Sequence, residues 1–467
     1  MKPFLRSGAL DRHSVFFQVR EALEKEGCAL CRLSLDAVAR YLDSLAYESV
    51  NDPGLRDHLR SSRGFCPHHA WQFLGVSSGP FSVAMIYADA LTEVKRVLEL
   101  GGRQLRTTGN TGIGGLELAT SLTPQLPCPA CGVLVESQDR YLGTLVEHMP
   151  EPDFAATYRS SQGLCLPHLE WAMSETRDPG IQQTLVETAL HTLVSDPPPG
   201  GGAFLPSAEF LSGADGSLME CSRRPTSRPR ASQPEGQAFP ERQRRMLDVE
   251  GCPLCQEARD SDGDPASLLP LANSGSLCNL HLRRVMNSGR SEDVSPLIER
   301  ERLALVRRLL DDTDHSAKRQ GSLRTLFQSV YRRLSPAPKP FDEVCCEADA
   351  REMQMQSGHA GGLAEAMINL DFRGAFLKSS GLCFTHLLLA LPQASPKNAS
   401  MLAELEAWKL QALAAELEEY IRKHDYRFTH EPWGDEASSP WRAVRKMAGA
   451  EGVWGVGGLW SPGKARP

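Results

Sequence analysis

Twelve of the thirteen cysteines fall in two kinds of short motif. Cys-x2-Cys occurs as Cys28/Cys31, Cys128/Cys131 and Cys252/Cys255, and Cys-x2-His occurs as Cys66/His69, Cys165/His168, Cys278/His281 and Cys383/His386. A fourth, irregular counterpart of the first kind has adjacent Cys345 and Cys346, with Glu343 where the first cysteine of the pair would stand. Three thiolates and one imidazole are the donor set of a closed tetrahedral zinc site, and four protein ligands leave no open position for water. Hydrophobic packing asks for no such pairing of Cys with His, so the repetition needs a chemical cause.

Each Cys-x2-Cys precedes a Cys-x2-His by 34, 33, 22 and 36 residues in turn. Read in order, this predicts four units, each holding its own site. The sets are Cys28, Cys31, Cys66, His69; Cys128, Cys131, Cys165, His168; Cys252, Cys255, Cys278, His281; and Cys346, Cys383, His386 with Glu343 or Cys345 as the fourth ligand. The Cys-x2-Cys is read as a turn, with Gly132 free to aim amide N–H groups at a thiolate. The Cys-x2-His is read as the start of a helix, where i and i+3 share a face and the helix dipole favours the thiolate. A glycine before each Cys-x2-His lets the chain enter that helix sharply. His68 reads as a surface neighbour of His69, Cys221 as a free thiol, and His58, His148 and His191 as structural residues.

The elements between the motifs have helical periodicity. Apolar residues share one helix face at Leu35, Val38, Leu42 and Leu45, and again at Val83, Ile86, Tyr87, Ala90, Leu91, Val94 and Leu98. The same spacing follows His168, His281 and His386. "NDPG" (51–54) reads as a turn, and "QEARDSDGDPASLLPLANSGS" (256–276) as a loop. No alternating strand pattern appears. The expected fold is all-α, with four helical hairpins clipped by Cys3His sites and grouped in two domains. The domains are 12–197 (units 12–105 and 120–197) and 241–447 (units 241–315 and 322–447). Residues 198–240, rich in Arg, Pro and Gly, read as a disordered linker, and 448–467 as a flexible tail.

Net charge is −7 over 467 residues, which argues against a nucleic-acid-binding surface over the whole chain. The arginines in and just after the linker (Arg223, Arg224, Arg228, Arg230, Arg242, Arg244, Arg245) are the one candidate for such contact. No apolar run approaches the ~20 residues of a membrane span, and the N-terminus lacks an apolar secretory region. The expectation is a cytoplasmic protein that keeps its thiols reduced. P-loop, Gly-x-Ser-x-Gly and His-Glu-x2-His signatures are missing. The predicted role is an interaction or adaptor module with structural zinc and a protein partner. The alternative is an iron–sulfur or thiol-based redox protein.

Two stretches, "YLDSLAYESVNDPGLRDHLRSSRGFCPHHAW" (41–71) and "EEYIRKHDYRFTHEPWGDEASSPWRAV" (418–444), resemble an uncharacterised bacterial family of unknown function. That family pairs a Cys-x2-Cys with a later Gly-Phe-Cys-x2-His, repeats the pattern, and ends in a segment like His424–Phe428. The resemblance implies a helical metal-site protein and supplies no activity. It also implies that the chain is two such domains fused, with the His-Asp-Tyr-Arg segment closing only the second. Asp425, Tyr426 and Arg427 then read either as a surface recognition patch or as a lock for the terminal helix.

Overall fold

The computed structural model describes residues 9–76, 78–107, 114–195, 210, 213–214, 247, 250–262, 347–451 and 453. Among them every regular element is helical. The order is α1 Ala9–Leu23, α2 Ala29–Ser44 with a π-helical turn Leu45–Ser49, α3 Pro53–Ser61, α4 Pro67–Leu74, α5 Gly79–Thr107 and α6 Gly114–Leu122. Then come α7 Pro129–His148, α8 Pro152–Ser160, α9 Leu166–Glu175 and α10 Pro179–Ser195. The last six are α11 Pro253–Asp262, α12 Glu347–Ala366, α13 Leu370–Lys378, α14 Phe384–Ala390, α15 Pro396–Lys423 and α16 Ser439–Ala448. No described helix is long and apolar enough to cross a membrane.

Local chemistry sets the helix starts. Asp52 caps α3 by accepting the Leu55 N–H at 2.7 Å, with Pro53 in the first turn, so "NDPG" opens a helix where the sequence suggests only a turn. Ser395 and Asn369 cap α15 and α13 in the same way. The stretch expected to be a loop after Cys255 begins instead as α11.

Two cores result. The smaller joins Val19, Ala29, Leu30 and Leu33 to Tyr141, Leu142, Leu145, Phe154, Tyr158, Leu185 and Ala189. The larger joins Val38, Leu42, Phe65, Phe73, the buried face of α5 and Leu134 to Phe376, Leu387, Leu402, Leu417, Val444 and Met447. It therefore draws on both expected halves, 12–197 and 241–447. The long helices α5 and α15 pack together, and α16 lies against α4 and α5. Within the expected linker, Phe210 is buried in the smaller core. Within the expected tail, Val453 is buried in the larger one.

Helices α2 and α7 decide the geometry of the sites. Residues from the start of α2 share the smaller core with the end of α7, while the end of α2 shares the larger core with the start of α7. The two helices are antiparallel neighbours that bridge the cores. A Cys-x2-Cys at the start of each is thus carried to opposite ends of the pair.

Candidate metal centres

Each of the six described half-motifs begins a helix. Cys28, Cys66, Cys128, Cys165 and Cys383 occupy the N-cap positions of α2, α4, α7, α9 and α14, and Cys252 directly precedes α11. In all six the cysteine carbonyl accepts the N–H four residues on, from Arg32, Ala70, Gly132, Leu169, Gln256 and Leu387. Gly132 is therefore an ordinary helical residue, and the Cys-x2-Cys is the first turn of a helix. Glycines before the motifs take positive φ: Gly27, Gly64, Gly163, Gly251 and Gly381 lie between 71° and 99°.

Three groups of four ligand atoms form, each with its atoms within 4.8 Å of one another. The first is Cys28, Cys31, Cys165 and His168; the second is Cys66, His69, Cys128 and Cys131; the third is Cys252, Cys255, Cys383 and His386. Among the described residues, no half-motif closes on the partner expected within its own unit. Cys28 and Cys31 do not meet Cys66 and His69, and Cys128 and Cys131 do not meet Cys165 and His168. Instead the outer half-motifs of the first 200 residues close on each other and the inner ones do likewise.

The reason is length. Helix α2 with its π turn carries the chain ~30 Å away from Cys28, whereas α3, at nine residues, spans only ~14 Å. The chain stays at the far end, where Cys66 meets the start of α7 running the opposite way. Cys383 and His386 likewise join Cys252 and Cys255. Cys278, His281, Glu343, Cys345, Cys346 and Cys221 lie outside the described residues.

In each group histidine Nδ1 faces the sulfurs. Distances to His168 Nδ1 are 3.5 Å from Cys28, 3.4 Å from Cys31 and 3.1 Å from Cys165. In the second group Cys66, Cys128 and Cys131 lie 3.2, 3.7 and 3.4 Å from His69 Nδ1. In the third, Cys252, Cys255 and Cys383 lie 3.4, 3.5 and 3.2 Å from His386 Nδ1. The sulfurs of Cys31 and Cys165, Cys131 and Cys66, and Cys255 and Cys383 are 3.6, 3.7 and 3.6 Å apart. A tetrahedron with bonds of ~2.3 Å to sulfur and ~2.0 Å to nitrogen has edges of about 3.8 Å (S to S) and about 3.5 Å (S to N). The observed separations, 3.1 to 3.7 Å, are close to those edges. None of the described cysteines is in a disulfide.

Electrostatics favour a cation there. Burial opposes ionising Cys31, but the neighbouring Cys165 and Cys28 thiols and the His168 ring outweigh it and hold Cys31 well below the usual thiol range. Cys165 is driven well above that range by burial and by the Cys28 and Cys31 sulfurs. Cys128 and Cys131 diverge likewise, as do Cys252 and Cys255. Burial works against charging His168 and His386, yet the thiolate charges beside them raise both to about 10. Three clustered sulfurs cannot all ionise by themselves, whereas a divalent ion removes the conflict. Six helix starts aimed in pairs at the three groups add positive potential.

A second layer holds the ligand loops. Gly27 N–H donates to Gln162, and Gly251 N–H to Ser380, so equivalent glycines are tied to equivalent loops. His58 Nε2 bonds the Pro127 carbonyl just before Cys128. Cys31 Sγ accepts the Ala214 N–H at 3.4 Å, and Cys255 Sγ accepts the Ala450 N–H at 3.4 Å. Gly213 and Gly449, each preceding the donor, have φ of 72° and 80°. Sequence reading passed over these two residues, although Gly-Ala-Asp-Gly (213–216) and Gly-Ala-Glu-Gly (449–452) repeat each other. His68 is half-buried with its ring against His69 and takes no place among the four ligands. In the His424–Phe428 segment Asp425 binds Arg427, and Tyr426 is 84% exposed. The packing falls to His424, whose ring meets Phe81 of α5, and to Lys423, which binds Glu436 and the Pro432 carbonyl.

A sequence model described as "Family of unknown function (DUF6062)" matches residues 14–187 and 272–452. The "Uncharacterized 23.9 kDa protein in xynA 3'region" of Caldicellulosiruptor sp. (strain Rt8B.4) is 26% identical over 169 residues, which are 36% of this chain and 75% of that protein. No solved structure matches.

Proposed function

Since the chain belongs to DUF6062, a family of unknown function, we propose from the geometry alone that it is a zinc-stabilised helical scaffold that docks a protein partner. One observation carries this reading. Three buried sets of three thiols and an imidazole stand at the spacing of a four-ligand tetrahedral ion. Such a site is closed, so its ion holds helix starts together and has no vacancy for a substrate. Spacing also favours a single ion over an iron–sulfur cluster, whose cysteines are shared among several irons.

The chain is a tandem of two family units, 12–197 and 241–447. The family model matches it in two segments, and the relative aligns most of its own length to about a third of this chain. Described cysteines that form no disulfide suit a reducing, cytoplasmic setting. Exposed Tyr426 and Trp433, rigidly mounted beyond α15, offer aromatic contact area to a partner.

Elemental analysis of the purified full chain tests the metal. At least three zinc ions per chain and no visible absorption are expected. A brown protein with iron and acid-labile sulfide overturns the scaffold reading in favour of a redox one.

A further inference from the structure

Trp71 lies on α4, two residues after His69 of the second group. Its indole N–H donates to the Gly449 carbonyl at 3.3 Å. The other side of that same peptide unit is the Ala450 N–H, which donates to Cys255 Sγ of the third group at 3.4 Å. One peptide therefore accepts a hydrogen bond from the helix that carries the second group and gives one to a ligand of the third. Both bonds run the same way, from indole N–H through C=O and N–H to the thiolate. Hydrogen bonds in such a chain polarise one another, so each is stronger when the other is made.

The peptide's setting is not accidental. Gly449 has φ 80° and ψ −177°, a conformation open only to glycine, and it ends α16, which packs against α4, α5 and α14. At the other end, Cys66 and His69 are the N-cap and third residue of α4. An ion bound there pins the first turn of that helix and, with it, the indole. The N–H delivered to Cys255 stabilises negative charge on that sulfur, a ligand of the third group.

We propose that the Gly449–Ala450 peptide couples the second and third groups, so that a metal ion in either raises the affinity of the other. Linkage makes the effect reciprocal. The first group is the internal reference. Its N–H comes from Ala214, four residues past Phe210 of the smaller core, and not from the peptide that Trp71 bonds. Trp71 is a positioning residue, and loss of such outer partners changes metal affinity about 10- to 100-fold.

This inference rests on the metal-binding reading above, and the test separates the two. The full chain is stripped by chelator and titrated with cadmium-113 ion while the metal is observed by NMR. Signals of the second and third groups are expected to grow together, with the first group's signal filling on its own schedule. In Trp71→Phe, which keeps the ring and removes the donor, the third group is expected to bind cadmium about tenfold more weakly, with the first unchanged. A coupling from cadmium to the Ala450 amide proton marks the third group's signal. Independent filling of the second and third groups in the native protein overturns the coupling, as does a third group in Trp71→Phe as tight as in the native chain. Should that variant misfold, the native titration alone decides. A native chain that takes no cadmium at these cysteines overturns the metal reading itself, and the coupling with it.

Discussion

Cys31 Sγ lies 3.6 Å from Cys165 Sγ although 134 positions separate them. This contact pairs the first half-motif with the fourth and leaves the second and third to each other. Cys131→Ser is accordingly expected to expose Cys66 and Cys128 to alkylation while Cys28, Cys31 and Cys165 stay protected, as read by mass spectrometry after a short pulse of iodoacetamide. Pairing within sequence-adjacent units predicts the reverse, with Cys165 reactive and Cys66 protected. That pattern would sink the exchanged arrangement.

The residues of the three described groups were legible, because Cys and His at i and i+3 have few other reasons to recur. So was the all-helical fold, since Val83, Ile86, Tyr87, Leu91, Val94 and Leu98 all turn out buried along α5. The pairing was not. It depends on α3 being too short to retrace α2 and on α2 and α7 lying antiparallel, which are tertiary facts. Linear order suggests that neighbours in sequence close on each other, whereas antiparallel packing of equivalent helices closes the ends crosswise. The N–H groups of Ala214 and Ala450 escaped notice for a different reason. A backbone donor leaves no side-chain signature, and only the repeated Gly-Ala-acid-Gly string hints at it.

Gly163 and Gly381 occupy equivalent turns with φ of 71°, but their surroundings differ. A methyl group at Gly163 would come closest to Thr188 Cγ2, at 3.2 Å, with Tyr158 Oη at an ordinary contact distance of 3.6 Å. At Gly381 it would lie 2.6 Å from Glu406 Oε1 and 2.7 Å from Lys409 Cδ, inside a buried polar cluster. Gly163→Ala is expected to cost about 1–2 kcal/mol from the left-handed backbone alone. Gly381→Ala adds an overpacking cost of about 1–3 kcal/mol. Urea denaturation ranks them, and equal losses would show that the cluster around Gly381 yields freely.

Glu406 is fully buried, binds the Leu382 N–H at 2.7 Å through one oxygen, and binds Lys446 Nζ at 2.5 Å through the other. Lys446 also donates to the Ser380 carbonyl. Together they fix the loop that leads into Cys383. Glu406→Gln keeps an acceptor for Leu382 but strands the Lys446 ammonium, and is expected to cost about 3–5 kcal/mol. Replacing both, as Glu406→Leu with Lys446→Met, removes the stranded charge and should recover most of that loss. A double variant no more stable than Glu406→Gln would mean that the pair's hydrogen bonds to the loop, and not its charges, carry the stability.

Lys409 donates to the carbonyls of Leu377 and Ser379 at 2.8 and 2.5 Å and faces both Glu406 and Lys446. Burial lowers its pKa to about 8, against the pull of Glu406 and with the help of the Lys446 charge. The ordinary lysine value is about 10.4. Below pH 8 the folded and unfolded chains both carry the proton, and the penalty of a buried ammonium is present in full. Between about 8 and 10.4 the unfolded chain binds more protons than the folded one, so stability rises with pH across that window. Above it both forms are neutral and the penalty is gone. Lys409→Met lacks the titration and should lose this rise, so the difference in unfolding free energy between native and variant chains, followed from pH 7 to 10, should grow in favour of the native chain. A difference that stays flat through pH 8–10 would place the Lys409 ammonium in water, outside the cluster that grips the Cys383 loop.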